Sequence, residues 1–321
     1  MGRRPRQVVE EDMGKTALLF PGQASQYVGM GKDLYDHSPD VQRLYELASE
    51  EMGVDIARLS FDGPAEELKR TANTQPAILL HSLAVLTAAG SNLPEFDYAA
   101  GHSLGEYGAL ASCGAMSYDD AIRAVVKRAS LMEAACQSNP GAMAAVMGLS
   151  HEKINEVCDL AGGVVVPANY NSAIQLVISG SVSAVEEAVR LAREMGAKRA
   201  VMLEVGGAFH SPLMESARVG LQEHLAQVAI ETPTRPVVAN VTGKPASDGE
   251  EIRSLLVKQV TAPVMWAQTM QYLKDNGVDT VIEVGPGTVL TGLAKRDMKP
   301  AESVSLDTLE HVRGLSGARV N

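Results

Sequence analysis

The amino-acid sequence predicts an α/β protein in two units, a large one on a parallel-rich sheet and a small one inserted into it. Three observations carry this. Short apolar runs alternate with longer stretches of helical period along the 321-residue chain, as strands joined by helices do. A serine between two glycines falls directly between one such run and a helical stretch. A segment after "NPG" reads β-α-β-β-α-β, the ferredoxin-like order.

Residues 1–14 read as a frayed tail, basic and then acidic. They lack the apolar stretch of a secretory signal, and Arg6 stands where a myristoylation motif wants Ser or Thr. "KTALLF" is the first strand, and the Pro-Gly of "PGQASQ" ends it in a turn. "DYAA" is a short strand that runs straight into Gly101. "SYDDAIRAVVKRASLMEAAC" is a helix. Ser117 suits its N-cap, Asp119 and Asp120 suit its positive first turn, and apolar residues recur at 122, 125, 126, 129 and 132.

The inserted unit follows, residues 137–205. Its strands are "AMAAVMGL", "VVVPANYN", "QLVISG" and "KRAVMLEV", and its helices are "SHEKINEVCDLA" and "SAVEEAVRLAREMG". Ser183 and Glu186 have the spacing of a capping box for the second helix, and Gly196 is its stop. The large unit takes residues 15–136 and 206–321. It resumes with "RPVVANV" as a strand, two helical stretches around Trp266, the strand and turn "TVIEVGPG", and the helix "TVLTGLAKR". Two units leave a cleft between them, a common place for a site.

Composition excludes several classes. The net charge is −11, from 28 basic and 39 acidic residues, which argues against nucleic acid as a partner. No apolar run approaches the roughly 18–20 residues of a membrane span. Cys113, Cys136 and Cys158 are odd in number and widely spaced, so neither a metal site nor a disulfide framework is implied. A reducing, cytoplasmic setting is the default. No cofactor motif is present.

Gly101-His102-Ser103-Leu104-Gly105 fits G-x-S-x-G after a strand and before a helix. That is the nucleophile elbow of α/β-hydrolase-like folds, and it makes the large unit hydrolase-like. Small flanking residues allow the tight turn, which exposes the serine Oγ beside the N–H groups of the following helix. A chance match of common residues is the bland alternative. A serine nucleophile needs a base. Of seven histidines, His102 adjoins the serine and would point away from it. His37, His81, His151, His224 and His311 lie in helical or terminal stretches. His210, in the loop "EVGGAFHSPLM", is the candidate. No acid in a clear loop position lies between Ser103 and His210, so either the acid is hidden or a backbone carbonyl orients the imidazole. Arg128 sits at the border of its helix's apolar stripe, where a snorkelling surface arginine is the ordinary reading.

Taken together, "FPGQASQYVGMG", "TQPAIL", "GHSLGEY", "KRASLME", "GAMAAVMGL", "NYNS", "GAFHSPLM", "QVTAPVMW" and "EVGPGTVLTGL" resemble the malonyl-CoA:acyl carrier protein transacylases, from about Lys15 to about Arg296. The resemblance implies Ser103 as nucleophile, His210 as its base, and a backbone carbonyl of Gln259 as the group that orients the imidazole. If only that carbonyl matters, truncating the Gln259 side chain should be mild. It implies an oxyanion hole from the N–H groups of Gln23 and Leu104, and Arg128 as the ligand of the malonyl carboxylate. His102 and Asn171 match positions near the acyl pocket. In related polyketide acyltransferases a phenylalanine at the position of Phe209 goes with malonyl, and a serine with methylmalonyl. The implied partners are malonyl-CoA and acyl carrier protein.

Two departures stand out. Ala24 replaces the middle glycine of the usual first loop, and Ala173-Ile174 replaces the Pro-Gly common after "NYNS". The elbow alone would equally serve a serine thioesterase or hydrolase, and the carrier could belong to a polyketide synthase. A module that binds carrier protein without catalysis is a third reading, disfavoured by the presence of both Ser103 and His210. An acidic carrier needs a local basic patch on this acidic protein, for which Lys198 and Arg199 are one candidate.

Overall fold

A computed structural model describes residues 14–317. The tail 1–13 lies outside the described residues. The first strand, β1 (Lys15–Phe20), is followed by five helices: α1 (Lys32–His37), α2 (Pro39–Met52), α3 (Ile56–Asp62), α4 (Ala65–Leu68) and α5 (Thr71–Ala89). Then come β2 (Tyr98–Gly101), α6 (Gly105–Ser112) and α7 (Tyr118–Ser138). The segment predicted as an insert holds β3 (Gly141–Met147), α8 (His151–Ala161), β4 (Val165–Ser172), β5 (Gln175–Ser181), α9 (Val182–Glu194) and β6 (Arg199–Met202). The chain ends with α10 (Glu215–Leu225), β7 (Val237–Ala239), β8 (Lys244–Pro245), α11 (Gly249–Gln259), α12 (Trp266–Asp275), β9 (Val278–Val284), α13 (Val289–Asp297), β10 (Glu302–Leu306) and α14 (Leu309–Gly317).

Two sheets result. The six-stranded one has the order β10-β9-β1-β2-β7-β8, parallel except for the β7–β8 pair. Strand period explains how it is sandwiched. In β1, Leu18 and Phe20 feed one apolar layer while Ala17 and Leu19 feed the other. Helix α5 is buried along most of its length, as a helix apolar on all sides must be. The four-stranded sheet is antiparallel, in the order β4-β5-β3-β6. Its Ala144 and Val146 pack under α8 and α9, whereas Met143 and Ala145 face the cavity described below. Strand β4 is tied to the segment between α11 and α12 by Tyr170 N–H donating to the Val264 carbonyl and Val264 N–H donating to the Ala168 carbonyl.

Three local expectations are corrected. Ser183 and Glu186 do not form a capping box. Helix α9 starts at Val182 directly off β5, so Ser181 occupies the N-cap and Ser183 is already helical. Ser181 remains paired with Gly141 in the sheet. The strands expected over "KRAVMLEV" and "RPVVANV" are shorter, four and three residues long, because each breaks off to deliver a loop to the site. Arg128 does not snorkel: it is 1% exposed, enclosed because α7 packs against α5 and α10. Neither α1–α5 nor β10 is among the elements the sequence predicts.

Candidate active site

The segments after the carboxyl ends of β1, β2 and β9 converge on a cavity of about 790 Å³. This is the end of an open α/β sheet where ligands bind. Ser103 sits just past β2 with φ +51°, a left-handed conformation that costs a non-glycine residue about 1–2 kcal/mol. Its flanking glycines are obligatory. A Cβ on Gly101 would lie 2.0 Å from the Gly105 carbonyl, and one on Gly105 would lie 2.1 Å from the Phe20 oxygen. Asn240, at the end of β7, pins the turn: its Oδ1 accepts from Ser103 N–H at 2.6 Å and its Nδ2 donates to the Gly101 carbonyl at 2.6 Å.

His210 comes from the loop after β6, also in left-handed backbone, φ +57°. Its Nε2 lies 2.8 Å from Ser103 Oγ. Its Nδ1 faces two carbonyls, Gln259 at 2.8 Å and Ala262 at 3.2 Å. A nitrogen between two acceptors carries the proton, so Nε2 presents its lone pair to the serine hydroxyl. Burial, with the Arg128 charge behind it, pushes the imidazole down to about 3, so it rests neutral. No carboxylate contacts the ring among the described residues, consistent with the missing acid in the sequence.

Arg128 reaches in from α7. Its Nη2 donates to Ser103 Oγ at 3.0 Å and to Gln259 Oε1 at 3.0 Å, and its Nη1 donates to Gln75 Oε1. The Gln259 side chain does more than the expectation of a mild truncation allows. Besides accepting from Arg128, its Nε2 donates to the Ser103 carbonyl at 3.0 Å and to Glu106 Oε2 at 2.7 Å. Glu106 also accepts from Asn240 N–H at 3.1 Å. Burial pushes its carboxyl up to about 7, against those two hydrogen bonds and the charge of Arg128.

Gln23 and Phe209 line the cavity beside Ser103 and His210. Leu104, buried, stands at the start of α6 next to Ser103. Ala24 adopts φ +77°, so the departure from glycine is absorbed by a strained alanine whose N–H donates to Gln26 Oε1 at 2.9 Å. His102 turns away from Ser103, as its position implied. Its Nε2 meets Asn171 Oδ1 at 2.9 Å, its ring packs on Trp266 with centroids 5.4 Å apart, and burial lowers its pKa. The cationic side chains on the cavity lining are Lys69 and Arg296, rather than Lys198 or Arg199.

Sequence reasoning missed Asn240, Glu106 and Gln75. Asn240 carried a usable signal, a polar residue at the carboxyl end of a predicted strand. Glu106 and Gln75 carried none, since a polar residue on a helix is usually solvated and only packing shows these two to be buried.

A family model described as acyl transferase domain matches residues 17–310. The chain is 42% identical over 303 residues to a malonyl CoA-acyl carrier protein transacylase of Bacillus subtilis (strain 168), covering 94% of this chain and 96% of that protein. It is similar to the acyl-carrier-protein-S-malonyltransferase of Bartonella henselae, with a TM-score of 0.90, 39% identity and coverage of 95% and 99% of the two chains. It is also similar to a malonyl-transacylase solved in complex with its type II PKS acyl-carrier protein, with a TM-score of 0.89, 37% identity and coverage of 95% and 100%. With its fold, its matched domain and these relatives in agreement, the chain belongs to the acyl transferase family, among the malonyl CoA-acyl carrier protein transacylases.

Proposed function

We propose that this protein moves a malonyl group from malonyl-CoA to the phosphopantetheine thiol of acyl carrier protein through a malonyl-serine intermediate. The observation that carries the reading is the double engagement of Ser103 Oγ, by a neutral imidazole at 2.8 Å and a buried guanidinium at 3.0 Å. A hydrolase of simple esters has no use for a buried cation beside its nucleophile. An enzyme for acid-tailed acyl groups does, because the guanidinium's planar fork matches a carboxylate.

His210 Nε2 takes the proton of Ser103 as Oγ attacks the thioester carbonyl, and Gln259 and Ala262 hold the ring in the required tautomer. The N–H groups of Leu104 and Gln23 receive the negative charge of the tetrahedral intermediate, with α6 directing its positive end there. The protonated imidazole returns its proton to the departing CoA sulfur. The carrier thiol then gives its proton to His210 and attacks the malonyl-serine, and the same groups act in reverse order. Arg128 holds the malonyl carboxylate, Phe209 limits the space at its methylene, and His102 with Asn171 shapes the adjoining wall.

We read residues 15–136 and 206–321 as a hydrolase-like unit and 137–205 as a ferredoxin-like one. The strand order β4-β5-β3-β6 supports the second assignment. No helix among the described residues is long and apolar enough to cross a membrane. The three cysteines are free, which supports a reducing, cytoplasmic setting. The test is incubation with labelled malonyl-CoA, with and without carrier, followed by mass spectrometry. A malonyl group on Ser103 that passes to carrier supports the reading. Free malonate without label on the protein identifies a hydrolase, and no reaction identifies a binding module.

A further inference from the structure

Arg128 and Glu106 are 1% and 3% exposed, yet they do not touch. Among the described residues, all three hydrogen bonds of the guanidinium go to neutral acceptors, on Gln75, Gln259 and Ser103, its carbon lies 5.9 Å from the centroid of the Tyr107 ring, and its Nε–H has no partner. Among the described residues, the Glu106 carboxylate accepts only from neutral donors, Gln259 Nε2 and the Asn240 N–H. One carboxamide therefore stands between two buried opposite charges, Nε2 toward the carboxylate and Oε1 toward the guanidinium. Each charge favours the ionised form of the other against burial.

We propose that Glu106 is the resident counter-ion of Arg128, held off by the Gln259 carboxamide, and that it lowers the affinity of the site for acid-tailed acyl groups by competing with their carboxylate. The proposal rests on the reading of Arg128 as the ligand of the acyl carboxylate. A direct Arg–Glu pair would occupy the guanidinium fork. A spaced one balances its charge while leaving donors free. Such moderation suits a two-step transfer, in which the same carboxylate must be gripped during loading and released with the product. An interaction that held the intermediate too firmly would slow its departure.

The test uses the Ser103→Ala protein, which binds thioesters without transferring them. Dissociation constants for malonyl-CoA and acetyl-CoA are measured by calorimetry at pH 8, with Glu106 and with Glu106→Gln. Both hydrogen bonds to Glu106 fall on one oxygen, Oε2, so a glutamine carbonyl keeps them while the charge is lost. Malonyl-CoA should bind about tenfold tighter to the Gln variant and acetyl-CoA within about twofold of the parent, since a nearby buried charge is removed. Glu106→Asp, which keeps the charge, should not show the gain. Malonyl affinity that is unchanged or weaker in Glu106→Gln overturns the proposal, as does an equal change for both ligands or the same gain in Glu106→Asp. If the parent binds malonyl- and acetyl-CoA equally, the reading of Arg128 has failed instead. The counter-ion is then judged by thermal unfolding of Glu106→Gln, Arg128→Met and the double variant. Coupled losses retain the pairing, and additive losses overturn it.

Discussion

In the buried floor beneath the cavity, at the carboxyl ends of β2 and β7, most polar groups are tied more than once. Gln259 bonds to Arg128, Ser103 and Glu106, and Asn240 bonds to Ser103, Gly101 and Glu106. The facing wall, from β3, β4, β5 and the loop after β6, presents Met143, Ala145, Val177, Leu203 and Val205, with Asn169, Asn171, Gln175 and Glu204 as its polar members. The floor places charge and lone pairs to within a hydrogen-bond length, which chemistry demands. The wall excludes water and sets shape, which apolar side chains do without directional bonds. Damage to the floor should therefore reach the reaction itself, and damage to the wall should alter which acyl group enters.

The largest effect is expected from the pair at the centre of the floor. Ser103→Ala should abolish the acyl-enzyme and lower turnover by roughly four or more orders of magnitude, and His210→Ala should be nearly as severe. The double variant should be little worse than either, because the two share one step. Steady-state rates with malonyl-CoA and carrier would show this, and clearly additive losses would contradict a shared step.

Arg128→Ala comes next, because it removes a buried cation in contact with Ser103 Oγ. Malonyl transfer should fall by roughly 100-fold or more while acetyl transfer is kept or improved, as expected when a carboxylate loses its bidentate partner. Competition between the two thioesters for loading onto carrier measures it. Equal losses would make the arginine structural.

Gln259→Ala sharpens the comparison further. It spares the carbonyl that faces His210 Nδ1 but deletes the side chain linking Arg128, Ser103 and Glu106. A loss of about 10- to 100-fold in kcat/KM is expected, since several buried groups lose partners at once. A loss under threefold would restore the view that only its backbone matters.

Phe209 belongs to the boundary between floor and wall, buried and adjacent to His210. Phe209→Ser should admit methylmalonyl-CoA while malonyl transfer survives, read from loading of carrier by each thioester. If methylmalonyl remains excluded, another part of the wall sets the limit. The smallest effect is expected at Ala24, whose left-handed backbone favours glycine. Ala24→Gly should raise stability by no more than about 1 kcal/mol, with relief of strain opposed by unfolded-chain entropy. Rates should stay within about threefold. A tenfold loss would mean that the alanine Cβ holds the Gln23 N–H in place.

The sequence by itself determined what depends on neighbours along the chain. β1 lies where its apolar run is. α7 begins after Ser117, whose side chain caps it, and Ser103 stands on its elbow because Gly101 and Gly105 tolerate contacts that no side chain could. The order of strands and helices in 137–205 was legible for the same reason, since period 2 and period 3.6 are local properties. Ser183 shows the limit. Its spacing to Glu186 is that of a cap, but the pairing of Ser181 with Gly141 across the sheet decided where α9 begins. Tertiary structure alone decided that Arg128 is enclosed rather than solvated, and that Gln259 serves through its side chain as well as its carbonyl. It also decided that Glu106 and Asn240 share the floor with Ser103. These positions lie up to 156 residues apart, and burial, which turns a common polar residue into a fixed one, is set by what packs over it.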